Sequence, residues 1–179
     1  AQDRWALRSH RLAAQGVADG RLPEEIVPLY VPPRYDAVVE RDNGIREDTS
    51  AERLAQLRPV FDRRHGSVTA GNASPLTDGA SAVLLMSEEA AAAHGITPLG
   101  YIRSWAWSAL SPAAQLLQGP AWAAPAALDR AGIAMADIEL MEMHEAFAAQ
   151  ALSNLQALDS DTFARNELGR SGRVGIPDE

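Results

Sequence analysis

Cysteine is absent from all 179 residues, which removes disulfides, thiolate metal sites and any cysteine nucleophile from within this chain. Lysine is absent as well. All 16 basic side chains are arginine, a bias that reflects genomic base composition rather than function. Positive charge is scarce: 24 acidic residues give a formal net charge of −8 and a pI near 5.0. Such a surface does not neutralise a phosphate backbone, so bulk charge excludes a nucleic-acid binder. No apolar run reaches the roughly eighteen residues of a membrane span, and the charged start AQDRWALRSHR lacks the pattern of a signal peptide. Glycine (13) and proline (11) are near average while 46% of residues are hydrophobic, which argues for a packed core over disorder or a fibre. The chain opens on Ala and closes on GIPDE with no evident end to an element, so it reads as an internal fragment.

Periodicity divides the chain into helices, short apolar runs and one irregular stretch. Residues 3–19 predict an amphipathic surface helix with Trp5, Leu12 and Ala13 on one face and Gly20 as its stop. A short strand at 25–31 leads into PPRYDAVVERDNGIRED, whose prolines, glycine and charges predict an exposed irregular segment. Thr49 and Glu52 have the spacing of a capping box at the start of a helix that carries Leu54 and Leu57 and ends at Arg58-Pro59. Residues 66–95 predict a strand, a polar turn, a second strand at Ala82–Met86 and a helix capped by Ser87 and closed by Gly95. Another strand is expected over 99–108, and a helix from Pro120 to the stop at Gly132.

Residues 138–159 predict a buried strand followed by a helix, with His144 and Glu145 at the junction. In an α/β sheet that junction is the edge where ligands and catalytic groups collect, and an imidazole there can donate or accept a hydrogen bond near neutral pH. Glu145 reads either as a base or as a carboxylate at a helix start, the second being the plainer account. His10, His65 and His94 show no metal-ligand spacing, so no metal site is expected. Asn72-Ala73-Ser74 matches a glycosylation acceptor only by accident in a chain with no secretory signal. Met135, Met141, Met143 and Leu140, like Trp105, Trp107 and Trp122, read as core filling. Asp159-Ser160-Asp161 lacks the glycine and distal glutamate of a calcium loop and reads as a helix cap.

Two longer segments carry a resemblance. SVTAGNASPLTDGASAVLLMSEEA (67–90) resembles the central signature of the thiolases, with Asn72-Ala73-Ser74 followed by Asp78-Gly79-Ala80. MHEAFAAQALSNLQ (143–156) resembles their second motif in its His-Glu-Ala-Phe form, that of the trifunctional-complex β-subunit branch, to which Pro75-Leu76-Thr77 and DSDTFARNELGR (159–170) also point. The similarity runs from QDRWALRSH to VGIP. It implies an incomplete α/β fold of thiolase type: residues 1–76 as part of the loop domain, 77–97 as the closing strand and helix of the first βαβαβ half, and 98–179 as the start of the second. A truncated half of this kind leaves sheet edges and apolar faces without partners.

The resemblance also implies an activity: 3-ketoacyl-CoA plus CoA to acyl-CoA plus acetyl-CoA, or the reverse, in fatty-acid β-oxidation. A cysteine thiolate attacks the keto carbon, acetyl-CoA leaves as an enolate, and CoA then removes the acyl group. His144 matches the position that helps build the donor site for the thioester oxygen, and Phe147 one that lines the acyl pocket. Ser74 matches the position that meets the pantetheine amides of CoA, with Ala70 and Leu76 nearby, and Arg46 and Arg58 resemble positions at the adenine and phosphate end. Coenzyme A is implied as a co-substrate, with no permanently bound cofactor and no metal. A homodimer or higher assembly, with a multifunctional α-subunit as a further partner, and a bacterial cytoplasmic location complete the expectation. The family's nucleophilic cysteine, its Gly-His-Pro motif and its second cysteine are not among these residues, so the chain alone is expected to be inactive. The alternatives are a non-catalytic CoA-binding or scaffolding module and, ranked lower, a sterol-carrier-type homologue.

Overall fold

Helix α1 (Gln2–Ala18) forms where the expected amphipathic segment lies, and Gly20, with φ of 81°, reverses the chain after it. Its buried stripe differs from the expected one: Ala6, Leu7 and Gly16 are covered, while Leu12 is exposed and Trp5 half-buried. A computed structural model of the chain describes residues 1–177. These fall into two compact units, the first made of residues 1–75 and 145–152, the second of 76–144 and 153 onward.

In the first unit α1 packs on the short helix α2 (Ala51–Ala55), whose Leu54 is buried. The cap of α2 lies one residue later than the spacing suggests: Ser50, in extended conformation, accepts the Arg53 N–H, and the helix ends at Ala55 rather than Arg58. Ser50, at φ −143°, is the residue with the extended backbone of an N-cap, so its hydroxyl and not that of Thr49 meets the third helical N–H. Leu29–Tyr30 (β1) and Val38–Val39 (β2) form an antiparallel pair with Leu29 opposite Val39 and Tyr30 opposite Val38. Around them residues 27–44 are exposed, as the prolines and charges foretell.

The second unit is built on helices. Helix α3 (Glu88–Ala93) is capped by the Ser87 hydroxyl on the Ala90 N–H and closed by Gly95 at φ 65°, both as read from the sequence. Helix α4 (Gly119–Ala131) ends at Gly132 in the left-handed region. Helix α5 (Ala148–Leu158) begins in the first unit and ends in the second, and α6 (Asp161–Glu167) starts on the Ser160 cap, its hydroxyl accepting from Phe163 N–H. The core joins Ala121, Met135, Ala157 and Leu158, with Leu128, Ile138, Met141, Phe163 and Val174 packed against it. Trp122 stacks edge-to-face on Phe163 at 5.7 Å between ring centroids. Asn154 of α5 ties the start of α4 from within: its Oδ1 accepts the Ala121 N–H and its Nδ2 donates to the Leu117 carbonyl, each at 3.0 Å.

The strands expected over 82–86, 99–108 and 138–143 carry no ladder among the described residues, where the β1–β2 pair is the one sheet. A strand satisfies its backbone only against a neighbouring edge, and no described strand pairs with these three. Their apolar side chains are consequently open: Val83 is 84% exposed, and Leu84, Leu85, Tyr101 and Ile102 are similarly bare. Trp105, Trp107 and Leu140, expected in the core, are exposed for the same reason, Trp107 to 87%. The 104–108 stretch is held to α4 at single points instead, by Ser104 Oγ on the Ala127 carbonyl and Arg130 on the Trp105 carbonyl.

Candidate active site

Residues 72–74 of the first motif and 146–148 of the second, some seventy positions apart, meet inside the first unit. Ser74 N–H donates to the Ala146 carbonyl and Ala148 N–H to the Asn72 carbonyl, each at 2.9 Å, so that Ala73 and Phe147 face each other across an antiparallel bridge. The turn that presents residues 72–74 is fixed from within. Asn72 is 3% exposed; its Oδ1 accepts the Thr69 N–H, and its Nδ2 donates to Asp3 Oδ1 at 2.8 Å and to the Ser67 carbonyl. A side chain so placed is a structural turn-former, which disposes of the glycosylation match. Gly71 belongs to the same turn, where an added Cβ would come within 2.5 Å of the Leu54 and Leu57 methyl groups.

Phe147 is half-buried and packs edge-to-face on Phe61, with ring centroids 6.0 Å apart. Ser74, Ala70 and Leu76 are exposed, and so is His144, two residues before the bridged segment Ala146–Ala148. Arg46 and Arg58 flank α2 with exposed side chains, and the Arg46 guanidinium donates to the Asn43 carbonyl at 3.4 Å. The bridge thus brings Ser74 and Phe147 together; Arg46 and Arg58 stand apart along the same unit. Glu145 accepts from Trp5 and Ser9 of α1. These two α1 residues, with Asp3 and His10, are the part of the site region that reading the sequence did not reveal; the i, i+4 spacing of Trp5 and Ser9 was the one available sign. Among the described residues no group of three or more His, Asp or Glu is placed to hold a metal ion, and no helix is long and apolar enough to cross a membrane.

His10, to which the sequence assigns nothing, receives the Arg46 backbone N–H on Nδ1 at 3.2 Å. That bond needs an unprotonated Nδ1, and burial followed by the Arg46 charge pushes the imidazole below its ordinary value of 6.5, with Glu145 pulling weakly the other way. The unfolded chain therefore takes up this proton first as pH falls. Stability contributed by His10 is complete above about pH 6.5 and is lost on acidification through the lower folded value. The urea midpoint is expected to drop below that pH, and His10→Gln to flatten this part of the profile; an unaltered profile in the variant would remove His10 as a cause.

Comparison with known proteins agrees with the motifs. Residues 1–89 match the family model described as thiolase, N-terminal domain, and residues 96–177 the model described as thiolase, C-terminal domain. The chain belongs to the thiolase family. It is 56% identical over 177 residues to 3-ketoacyl-CoA thiolases of Yersinia pestis (strain Pestoides F) and Yersinia pseudotuberculosis (serotype O:1b), covering 99% of this chain and 40% of each relative. The chain thus spans about two fifths of the length of the curated relatives it matches. An acetyl-CoA acetyltransferase of Bacillus anthracis superposes with a TM-score of 0.83 at 39% identity, over 99% of this chain and 44% of that one. The dimeric peroxisomal thiolase of Saccharomyces cerevisiae does so with a TM-score of 0.81 at 32% identity, over 98% and 43%. The fold is accordingly a part of the thiolase α/β fold, which accounts for strand-like segments whose neighbouring edges are not among these residues.

Proposed function

We propose that the chain is the central part of a 3-ketoacyl-CoA thiolase, an acetyl-CoA C-acyltransferase of fatty-acid β-oxidation. The observation that carries this reading is the bridge between Asn72–Ser74 and Ala146–Ala148, because it sets a CoA-recognising hydroxyl and an acyl-lining ring on one rigid junction. Ser74 meets the pantetheine amides, with Ala70 and Leu76 beside it. Arg46 and Arg58 attract the nucleotide phosphates, for which a few local guanidinium groups suffice despite the overall acidity. Phe147 lines the acyl chain, and His144 donates toward the thioester oxygen as enolate charge develops there. The nucleophile is a cysteine thiolate supplied from outside these 179 residues, which contain none, so the chain by itself performs no thiolysis.

Residues 1–76 then belong to the loop domain, 77–97 to the end of the first βαβαβ half and 98–179 to the beginning of the second. Support for a dimer comes from the yeast relative described as dimeric, and for work in the bacterial cytoplasm from the likeness to bacterial thiolases. A multifunctional α-subunit is the further partner this reading allows. The absence of cysteine favours one second reading, a CoA-binding or scaffolding module without catalysis. Ser74→Ala decides the CoA assignment under either reading. It is expected to weaken CoA binding about three- to tenfold, the range of one neutral hydrogen bond, and to touch the chemical rate less; unaltered CoA dependence would remove Ser74 from the site.

A further inference from the structure

A carboxylate next to a histidine in a motif invites the role of base. Glu145 is turned elsewhere. Its Oε1 accepts the Trp5 indole N–H at 2.8 Å and its Oε2 the Ser9 hydroxyl at 2.6 Å, both donors lying one turn apart on α1. The contact is half-buried, where a bond to a carboxylate competes less with water and is among the stronger hydrogen bonds. The same helix holds the other side of the junction, since Asp3 takes the Asn72 amide. The residue following Glu145 supplies the carbonyl that receives Ser74 N–H. Any swing of residue 145 therefore moves the bridge.

We propose that Glu145 is a positioning residue and not a base: α1 grips its carboxylate through Trp5 and Ser9, which holds Ala146–Ala148 against Asn72–Ser74 and so sets the places of Ser74 and the adjoining His144. This deepens the acyl-CoA reading and rests on it. The design follows from how steeply site chemistry depends on placement, where an error of about 1 Å can cost on the order of a hundredfold.

The test uses the thiolase that carries this chain and three variants, with amide hydrogen exchange and calorimetric CoA titration as readouts. Ser9→Ala and Trp5→Phe each remove one donor, and Ser9→Thr keeps the hydroxyl. The first two are expected to speed exchange at the Ser74 and Ala148 amides about tenfold, as loss of a bond to a charged acceptor should, and to weaken CoA binding similarly. Amides inside α1 and α4 should exchange at the unaltered rate, and Ser9→Thr should restore both readouts. Uniform acceleration throughout the chain, or none at the bridge, would overturn the clamp, because then the contacts only add bulk stability or nothing. A bridge that loosens while CoA affinity holds would overturn the positioning role. If the unaltered thiolase binds no CoA while its bridge amides still respond to Ser9 and Trp5, the clamp stands and the acyl-CoA reading fails.

Discussion

Replacing His144 with alanine lowers the turnover of thiolysis by a factor on the order of 10² or more in the thiolase that carries this chain, if the imidazole serves the thioester oxygen as proposed. The size follows from what an oxyanion donor does. It is worth little to the neutral ground-state carbonyl and several kcal/mol to the enolate, so its loss falls on turnover and leaves the binding of CoA nearly unaltered. His144 is exposed and lies two residues before Ala146, where the chain is bonded to residues 72–74, so the ring is accessible beside an anchored segment. His144→Asn keeps a donor without the imidazole. Because an amide can orient a water into the same position, it should retain more turnover than alanine does. Steady-state assays of the two variants decide the matter: equal turnover in His144→Ala and the unaltered enzyme would end the assignment, and a loss confined to the CoA dependence would move His144 from chemistry to binding.

Truncating Leu158 to alanine is expected to cost about 2–5 kcal/mol of stability. Leu158 is fully buried at the end of α5, in a cluster with Ala121, Met135 and Ala157, and its carbonyl also receives the Val174 and Gly175 N–H groups at 3.1 and 3.0 Å. Its neighbours arrive on α4, on the 135–138 turn and on the segment after α6, so no single element can close over the void. Leu158→Met, which conserves volume, should cost less than about 1.5 kcal/mol. Urea unfolding of the two variants measures the contrast. A small cost for alanine would mean that the cluster collapses easily and is not the core it looks like.

The legible part of this fold was local. Helix signals with a chemical cause in adjacent residues, such as the Ser87 and Ser160 caps and the left-handed glycines 95 and 132, could be read directly. Segment 82–86 has the composition of a buried strand, yet composition fixes only the willingness to pair, and the pairing edge lies elsewhere. The same limit explains Trp107 and Leu140, whose burial depends on surfaces these residues do not provide. At the site, the resemblance of the two motifs pointed to Ser74, His144 and Phe147, whereas Trp5, Ser9 and Asp3 act through contacts some 70 to 140 positions distant, which no local pattern encodes. Glu145 illustrates the difference. Its identity was visible, and its partner was not.

The first unit is discontinuous in sequence, since α1 finds Glu145 only after the whole stretch 76–144 has been made. At a synthesis rate of about 5–20 residues per second, α1 waits roughly seven to thirty seconds for its partner to leave the ribosome. During that interval Asp3 can already hold Asn72, but the bridge and the carboxylate grip cannot exist. The nascent chain must therefore keep a half-made junction soluble while an intervening stretch with bare apolar segments emerges, and it is in this window that a chaperone would have the most to protect.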